Sequence, residues 1–223
     1  MTTETKLSLT ANLLGLVAPF IGRGDIRYYL DGISVRPAKG GGAIIAATNG
    51  HAMAMALDRN AVCEEEVILR VNGHLLQACA ALPQRESRRL ELRNGRLMVT
   101  RGEGPDSDVY IQAGNPFVEG KFPDIFLVVP SPESLKPGMI GGYNPRVLDL
   151  VNQASRHVGH ICGVGKHGLY ALQFWTQNGE RCEQSVARVE GFNDWFAVLM
   201  PAKCDEPKQV TPQFLLDEME ARK

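Results

Sequence analysis

A β-α-β-β-β pattern runs through this chain three times at a spacing of about sixty to seventy residues, and a period of that size marks a repeat architecture. The helical members are "TANLLGLVAPFIG" (residues 10–22), "VNGHLLQACAALP" (71–83) and "NPRVLDLVNQASRHVG" (144–159). The first opens on a capping-type Thr and the second closes before a proline. The third begins Asn-Pro and ends on Gly, as N-cap, N1 and C′ residues do. Each keeps its apolar residues to one stripe, which predicts a helix lying on a sheet. Strand-like runs follow each helix: "RYYLDGISVRP", "AIIAAT" and "HAMAMALD"; then "RRLELRNG", "RLMVTRG" and "DVYIQAG"; then "LYALQFWTQNG", "CEQSVARVEG" and "WFAVLMPA". Short β-prone runs, "TKLSL", "EEVILRV" and "GMIGGY", precede the helices.

Two such units make one α+β domain with both helices on the same face of antiparallel sheets, so three units make one and a half. The break falls at "VVPSPESLKPG", residues 128–138, where prolines and serines interrupt the apolar patterning. The division is therefore 1–133, 134–203 and a polar tail, 204–223, expected to be mobile. Within that tail, "QFLLDEM" has the character of an amphipathic terminal helix.

A chain of 223 residues buries enough core to need no disulfide or metal. A net charge of −1 excludes a nucleic-acid binder that works by bulk phosphate attraction, though not one with basic residues gathered on a single surface. Five scattered cysteines, none spaced C-x-x-C, fit a reducing compartment. With no signal segment and no apolar run approaching ~18 residues, the expectation is a cytoplasmic protein.

The stretch "AIIAATNGHAMAMALDR" (43–59) holds the strongest local signal. Asn49-Gly50 between apolar runs predicts a hairpin with a type I′ turn, which needs positive φ at both central positions. After it, His51, Met53, Met55 and Leu57 share one strand face, and Ala52, Ala54 and Ala56 share the other. One face can fill a pocket and the other admits a closely packed neighbour.

No enzyme motif survives inspection. "CGVGKHG" lacks the first glycine of a phosphate loop and has His167 where that loop needs Ser or Thr. His157, His160, Cys162 and His167 lie close enough to hold a metal, but their spacing matches no familiar zinc pattern, and a hairpin that merely contains histidines is the expected alternative. No nucleophile elbow, Rossmann fingerprint or carboxylate pair stands out, so neither catalytic residues nor cofactors are expected.

Four segments, "DIRYYLDG", "ATNGHAMA", "KFPDIFLVVP" and "VLMPAK", resemble in order four landmarks of the bacterial DNA polymerase III β sliding clamp, which read approximately RYYLNG, ATDGHRLA, FPDYRRVIP and VVMPM. The resemblance implies the clamp's middle domain, to about Pro130, joined to the last half of its third domain. It implies a DNA-clamp fold with helices around a central hole through which duplex DNA passes. The implied function is processivity, with partners docking a short peptide into an apolar pocket between the domains. By motif position the pocket comprises Leu30, Thr48, Gly50, His51, Met53, Pro123, Val128, Val198, Met200 and Pro201. For Met55 and Leu57 a role in the sheet core is expected instead. Tyr28 and Tyr29, with Arg23 and Arg27 beside them, match the segment that approaches DNA, and both tyrosines reach it only if the segment is irregular. Arg85, Arg88, Arg89, Arg146 and Arg156, near or on the helices, are candidates for a weakly basic lining. The implied partners are double-stranded DNA, a polymerase or other protein carrying a clamp-binding peptide, further copies of the chain, and a clamp loader.

The departures from the family are also specific. Asn49 and Ala52 replace the family's Asp and Arg, and Ile125, Phe126 and Leu127 replace its Tyr-Arg-Arg, which predicts a more apolar pocket rim with fewer cations. Half-domains are missing, so a ring of twelve needs four copies of three; a hidden fourth unit would make it a trimer. An open module that recruits or sequesters replication proteins is the alternative, and a metal protein built on His157–His167 a third.

Overall fold

The structure is a computed structural model and describes residues 6–80, 88–101, 108–138, 141–162, 171–178 and 183–203. In the first unit β1 (Leu7–Thr10) leads into a broken helix, of which only α1 (Leu14–Val17) is α-helical, and then into β2 (Ile33–Pro37), β3 (Ala43–Thr48) and β4 (Ala52–Asp58). The second unit runs β5 (Val62–Cys63), β6 (Val67–Leu69), α2 (Gly73–Ala80), β7 (Arg88–Arg93), β8 (Arg96–Arg101) and β9 (Asp108–Ile111). In the third, β10 (Leu135–Pro137) precedes α3 (Pro145–Ile161), β11 (Leu172–Gln177), β12 (Ser185–Val189) and β13 (Phe192–Leu199).

The units exchange strands. β1 joins the second unit's sheet, giving the order β5-β1-β7-β8-β9, while β6 joins the first unit's. The last strands of the first and third units, β4 and β13, pair antiparallel from Trp195↔Ala56 to Leu199↔Ala52 and fuse the two units into one eight-stranded sheet, β10-β11-β12-β13-β4-β3-β2-β6. Helices share one face, with α1 in contact with both α2 and α3.

The Ala/Met alternation of β4 sorts as its period requires. Ala52, Ala54 and Ala56 lie in the main core with the helices, where small side chains let α1 come close. Met53 and Met55 lie on the opposite face in a second apolar cluster, covered by Val118, Phe122 and Ile125 from the segment that crosses the outside of the sheet.

Several expectations are corrected. The first helix breaks into 3-10 turns, Ala11–Leu13 and Ala18–Phe20, on either side of α1; at the second of these Pro19 has no N–H to continue the α-helical ladder. Thr10 does not cap it; its hydroxyl donates to Asp58 Oδ1 at 3.0 Å instead. Asn144 does act at the start of α3, accepting from Arg146 N–H at 3.0 Å, but the helix runs through Gly159 to Ile161. His157 is therefore a helical residue, as the helix predicted over 144–159 has it, and not part of the hairpin expected for the histidine-rich stretch. The strand before α3 is Leu135–Pro137, ahead of the "GMIGGY" run. The side chain of His160, residues 163–170 with His167, and the tail lie outside the described residues.

His157 locks the third unit to the first. Its Nε2 lies 2.5 Å from the Asn12 carbonyl oxygen, and the ring occupies the space beside Gly15, where a Cβ would sit 2.2 Å from it. Gly15→Ala is expected to displace the ring and lower stability by about 1–3 kcal/mol. Adding His157→Ala should return part of that loss, because the clash disappears with the ring. Additive losses in urea denaturation of the two single variants and the double variant would show that the two residues do not interfere.

Candidate functional site

The β3–β4 hairpin is built by Asn49. Its side-chain Oδ1 accepts from the N–H groups of His51 and Ala52, both at 2.9 Å, and Asn49 N–H donates to Ala52 O at 3.2 Å. The central pair is thus Gly50-His51, with φ +83° at Gly50, rather than the expected type I′ Asn49-Gly50 pair with two positive φ values. Positive φ at the first central position alone is the type II′ pattern, and it fits Gly there. The turn is further fixed from the side: a Cβ on Gly50 would lie 2.6 Å from an Arg27 guanidinium nitrogen.

Around this turn the candidate pocket residues fall into three levels. Leu30, Met53 and Val198 are buried and form a filled apolar floor, with Met53 and Val198 facing each other across the β4–β13 ladder. Thr48 and Pro201 are half-buried, and Thr48 Oγ1 donates to Ala52 O at 2.9 Å. Val128 and Met200, each 41% exposed, reach the surface, as do Gly50, His51 and Pro123. Beyond the ladder, Met200 N–H donates to His51 O at 3.0 Å, which ties the end of β13 to the turn.

The rim is apolar. Leu127 is 83% exposed and Phe126 46%, with the Arg36 guanidinium 5.1 Å from the Phe126 ring centroid. Ile125 belongs to the buried outer cluster, so of the three apolar replacements only Phe126 and Leu127 reach the surface. Residues Ile125–Val128 form a 3-10 turn that Asp124 caps, accepting from Phe126 N–H at 3.1 Å. Two concavities, of about 390 and 240 Å³, lie elsewhere, along the segment carrying Val118 and Glu119, and none of the candidate pocket residues lines either.

Tyr28 and Tyr29 stand on a 3-10 turn, Tyr28–Leu30, instead of a strand. That irregularity lets adjacent side chains avoid strict alternation: the rings meet edge-on at 5.8 Å, Tyr28 is exposed, and Tyr29 packs on the outer cluster. Arg23 is exposed. Arg27 is held by Asp25 through a 2.7 Å ion pair. The Arg27 side-chain hydrogen bond, reinforced by its backbone N–H, holds the Asp25 carboxyl down at about 2. The stabilising contribution of the pair is present above the usual value of 3.8 and is lost as pH falls toward 2, so the pair persists through the neutral range.

The expected basic lining is only partly assembled. Arg146 and Arg156 lie on the exposed stripe of α3, but Asp149 lies between them on the same stripe. Arg88 and Arg89 are on β7, not on a helix. Successive strand residues face opposite ways, so Arg88 reaches the carbonyl of Ala78 on α2 while Arg89 faces away from the helices, bonding Ser8 Oγ, Thr10 Oγ1 and Asn60 O. Arg89 is thereby removed from the helix face, and Arg85 lies outside the described residues.

The same fold recurs in solved structures. The DNA polymerase sliding clamp of Pseudomonas aeruginosa, crystallised with a ligand, matches with a TM-score of 0.61 and 16% identity over 90% of this chain and 66% of that one. The chain has the bacterial sliding-clamp fold. The Caulobacter crescentus β sliding clamp matches with a TM-score of 0.62 at 15% identity, covering 92% of this chain and 67% of that one. A Bartonella birtlesii sliding clamp bound to griselimycin matches with a TM-score of 0.61 at 16% identity, covering 90% and 66%. The chain thus spans about two thirds of the length of these clamps. No protein-family model and no curated protein matches its sequence.

Within the clamp fold, three features escaped sequence reasoning. Ile26, 98% exposed, projects from the loop before Tyr28; Arg36 is stacked on Phe126; and Trp195 donates from Nε1 to Leu16 O at 3.1 Å beneath the β4–β13 junction. The first carried no periodic signal, and the others join residues far apart in the chain. Among the described residues no group of three or more His, Cys, Asp or Glu is placed to hold a metal, and no helix is long and apolar enough to cross a membrane.

Proposed function

We propose that the chain is a shortened, non-enzymatic processivity factor of the sliding-clamp kind, which assembles with copies of itself around duplex DNA and tethers replication or repair proteins. The observation that carries this reading is the β4–β13 junction: a buried Leu30–Met53–Val198 cluster beside exposed Met200 and His51 at the joint between the first and third units. An apolar floor with an adaptable methionine, Met200, at its edge suits a short linear peptide with apolar anchors. The apolar Leu127, where the family has a cation, favours peptides that are less acidic than those an arginine-bearing rim would take, whereas Ala52, buried on the helix side of β4, lies away from that surface, a correction to the expectation that it shapes the rim.

A titration of a labelled Gln- and Leu-containing clamp-binding peptide against wild type and Met200→Glu tests the site. Met200 is at the rim, so the variant should fold normally, yet placing a carboxylate against apolar anchors should weaken binding at least ~10-fold, or about 1.4 kcal/mol. Equal affinities would remove this surface from the function. Retention on closed circular DNA, lost when the circle is cut, tests encirclement.

A second reading, an open module that binds or sequesters replication proteins without a ring, is favoured by the helix face. The exposed stripe of α3 carries Arg146 and Arg156 against Asp149, a weak field for holding a phosphate backbone. DNA retention that ignores free ends would select it.

A further inference from the structure

The outer face of the eight-stranded sheet leaves large apolar side chains open to water. Leu127, Phe126, Val128 and Met200 are all exposed. Ile125, at the start of the 3-10 turn, and Val129, just beyond it, pack into the outer cluster that also holds Val198, and Met200 follows Val198 by two residues. Apolar groups gathered around one cluster in this way mark a place where something docks.

The chain itself brings an occupant there. Past β13, Met200 N–H donates to His51 O at 3.0 Å and Ala202 N–H to Gly142 O at 2.8 Å, so the backbone is held at this joint to within two residues of the tail. Residues 204–223 follow, and four large apolar side chains, Phe214, Leu215, Leu216 and Met219, fall close together within them. The stretch 204–213 that precedes Phe214 spans up to about 33 Å when extended, ample to bring it back to Met200. Asp217, Glu218 and Glu220 are largely offset by Arg222 and Lys223, which suits an apolar surface better than a strongly acidic segment would.

We infer that the tail segment 213–219 docks on this surface of its own chain and holds it until a partner's peptide displaces it. Tethering makes a weak contact sufficient. A short tether sets an effective concentration of about 1 mM, so a tail whose separate dissociation constant is only about 100 μM occupies the surface about ten to one and lowers a competitor's apparent affinity about 10-fold. Only a partner that binds well, or one present at high local concentration, then engages the surface. The inference rests on the peptide-binding reading of the proposed function for what is regulated, and on chain continuity and the apolar surface for the contact itself.

Two measurements on the full-length chain test it, comparing wild type with the double variant Leu215→Asp, Leu216→Asp. Hydrogen peroxide oxidises exposed methionines, so Met200 should be oxidised several-fold faster in the variant, while half-buried Met98, on the other sheet, reacts equally in both. The labelled clamp-binding peptide should bind the variant at least ~10-fold more tightly than wild type, with an unchanged melting curve. Equal Met200 oxidation, or equal measurable peptide affinity of the two proteins, would overturn the inference; equal affinity that Met200→Glu still weakens would leave the peptide-binding reading standing. Faster Met200 oxidation in the variant, with no peptide bound by either protein, would keep the tail contact and remove the peptide-binding reading instead. The protection of Met200 in wild type should not vary with protein concentration. Protection that falls on dilution would place the tail of a second copy there and overturn the assignment to the same chain.

Discussion

Trp195→Ala should cost about 3–5 kcal/mol, the range for emptying a fully buried large aromatic site. Trp195 is 1% exposed, stands opposite Ala56 in the β4–β13 ladder, and points into the core that the third unit shares with α1. Truncation opens a cavity there and leaves the Leu16 carbonyl without the indole N–H that reaches it at 3.1 Å. Against a folding free energy of about 5–15 kcal/mol, such a loss removes a large share of stability. Trp195→Phe keeps most of the packing and gives up the hydrogen bond, so about 1–2 kcal/mol is expected for it. The urea midpoints of both variants check this, and a Trp195→Ala midpoint within experimental scatter of wild type would show that the third unit does not depend on this contact. Val198 lies three residues further along the same strand, on the outer face, so under the proposed function the alanine variant should also weaken peptide binding.

Asp58→Ala is expected to cost about 3 kcal/mol through a different mechanism. Asp58 is 1% exposed and its carboxylate accepts from Thr10 N–H at 2.6 Å, from the Thr10 hydroxyl at 3.0 Å and from Asn60 N–H at 3.0 Å. Those bonds pin the end of β4 to the point where β1 turns into the first helical segment, linking the two sheets. Alanine leaves the donors buried without an acceptor, which costs more than the bonds themselves contribute. Asp58→Asn keeps one carbonyl oxygen and should lose about half as much. Equal loss by Asn and Ala would mean that charge, rather than acceptor geometry, holds the joint; no loss by either would mean that the donors find other partners.

The two sites differ in how far the sequence disclosed them. Met53, Met55 and the three alanines of β4 were assigned to faces correctly because strand alternation is a local property, set by the pleat whatever surrounds it. The three helices, the hairpin and the Asn144 start of α3 follow from similarly short-range chemistry. The hairpin's turn type did not: one Asn-Gly pair is compatible with two registers, and the hydrogen bonds of the Asn49 side chain to His51 and Ala52 select the one centred on Gly50-His51. The side chain of Thr10 was assigned to a helix cap on the same local logic, but a buried carboxylate forty-eight residues away competes for its hydroxyl and wins.

The sequence by itself determined the periodic order of strands and helices, the face each strand side chain takes, and the set of residues that resemble the clamp's peptide pocket. Only the tertiary structure decided that β1 and β6 exchange sheets, that β4 meets β13, that Met53 is buried while Met200 is exposed, and that Arg89 turns away from the helices. The physical reason is range. Propensity, alternation and capping act over a few neighbouring residues and leave their mark in the order of amino acids, whereas strand partners and depth of burial depend on surfaces that come together only when distant segments pack.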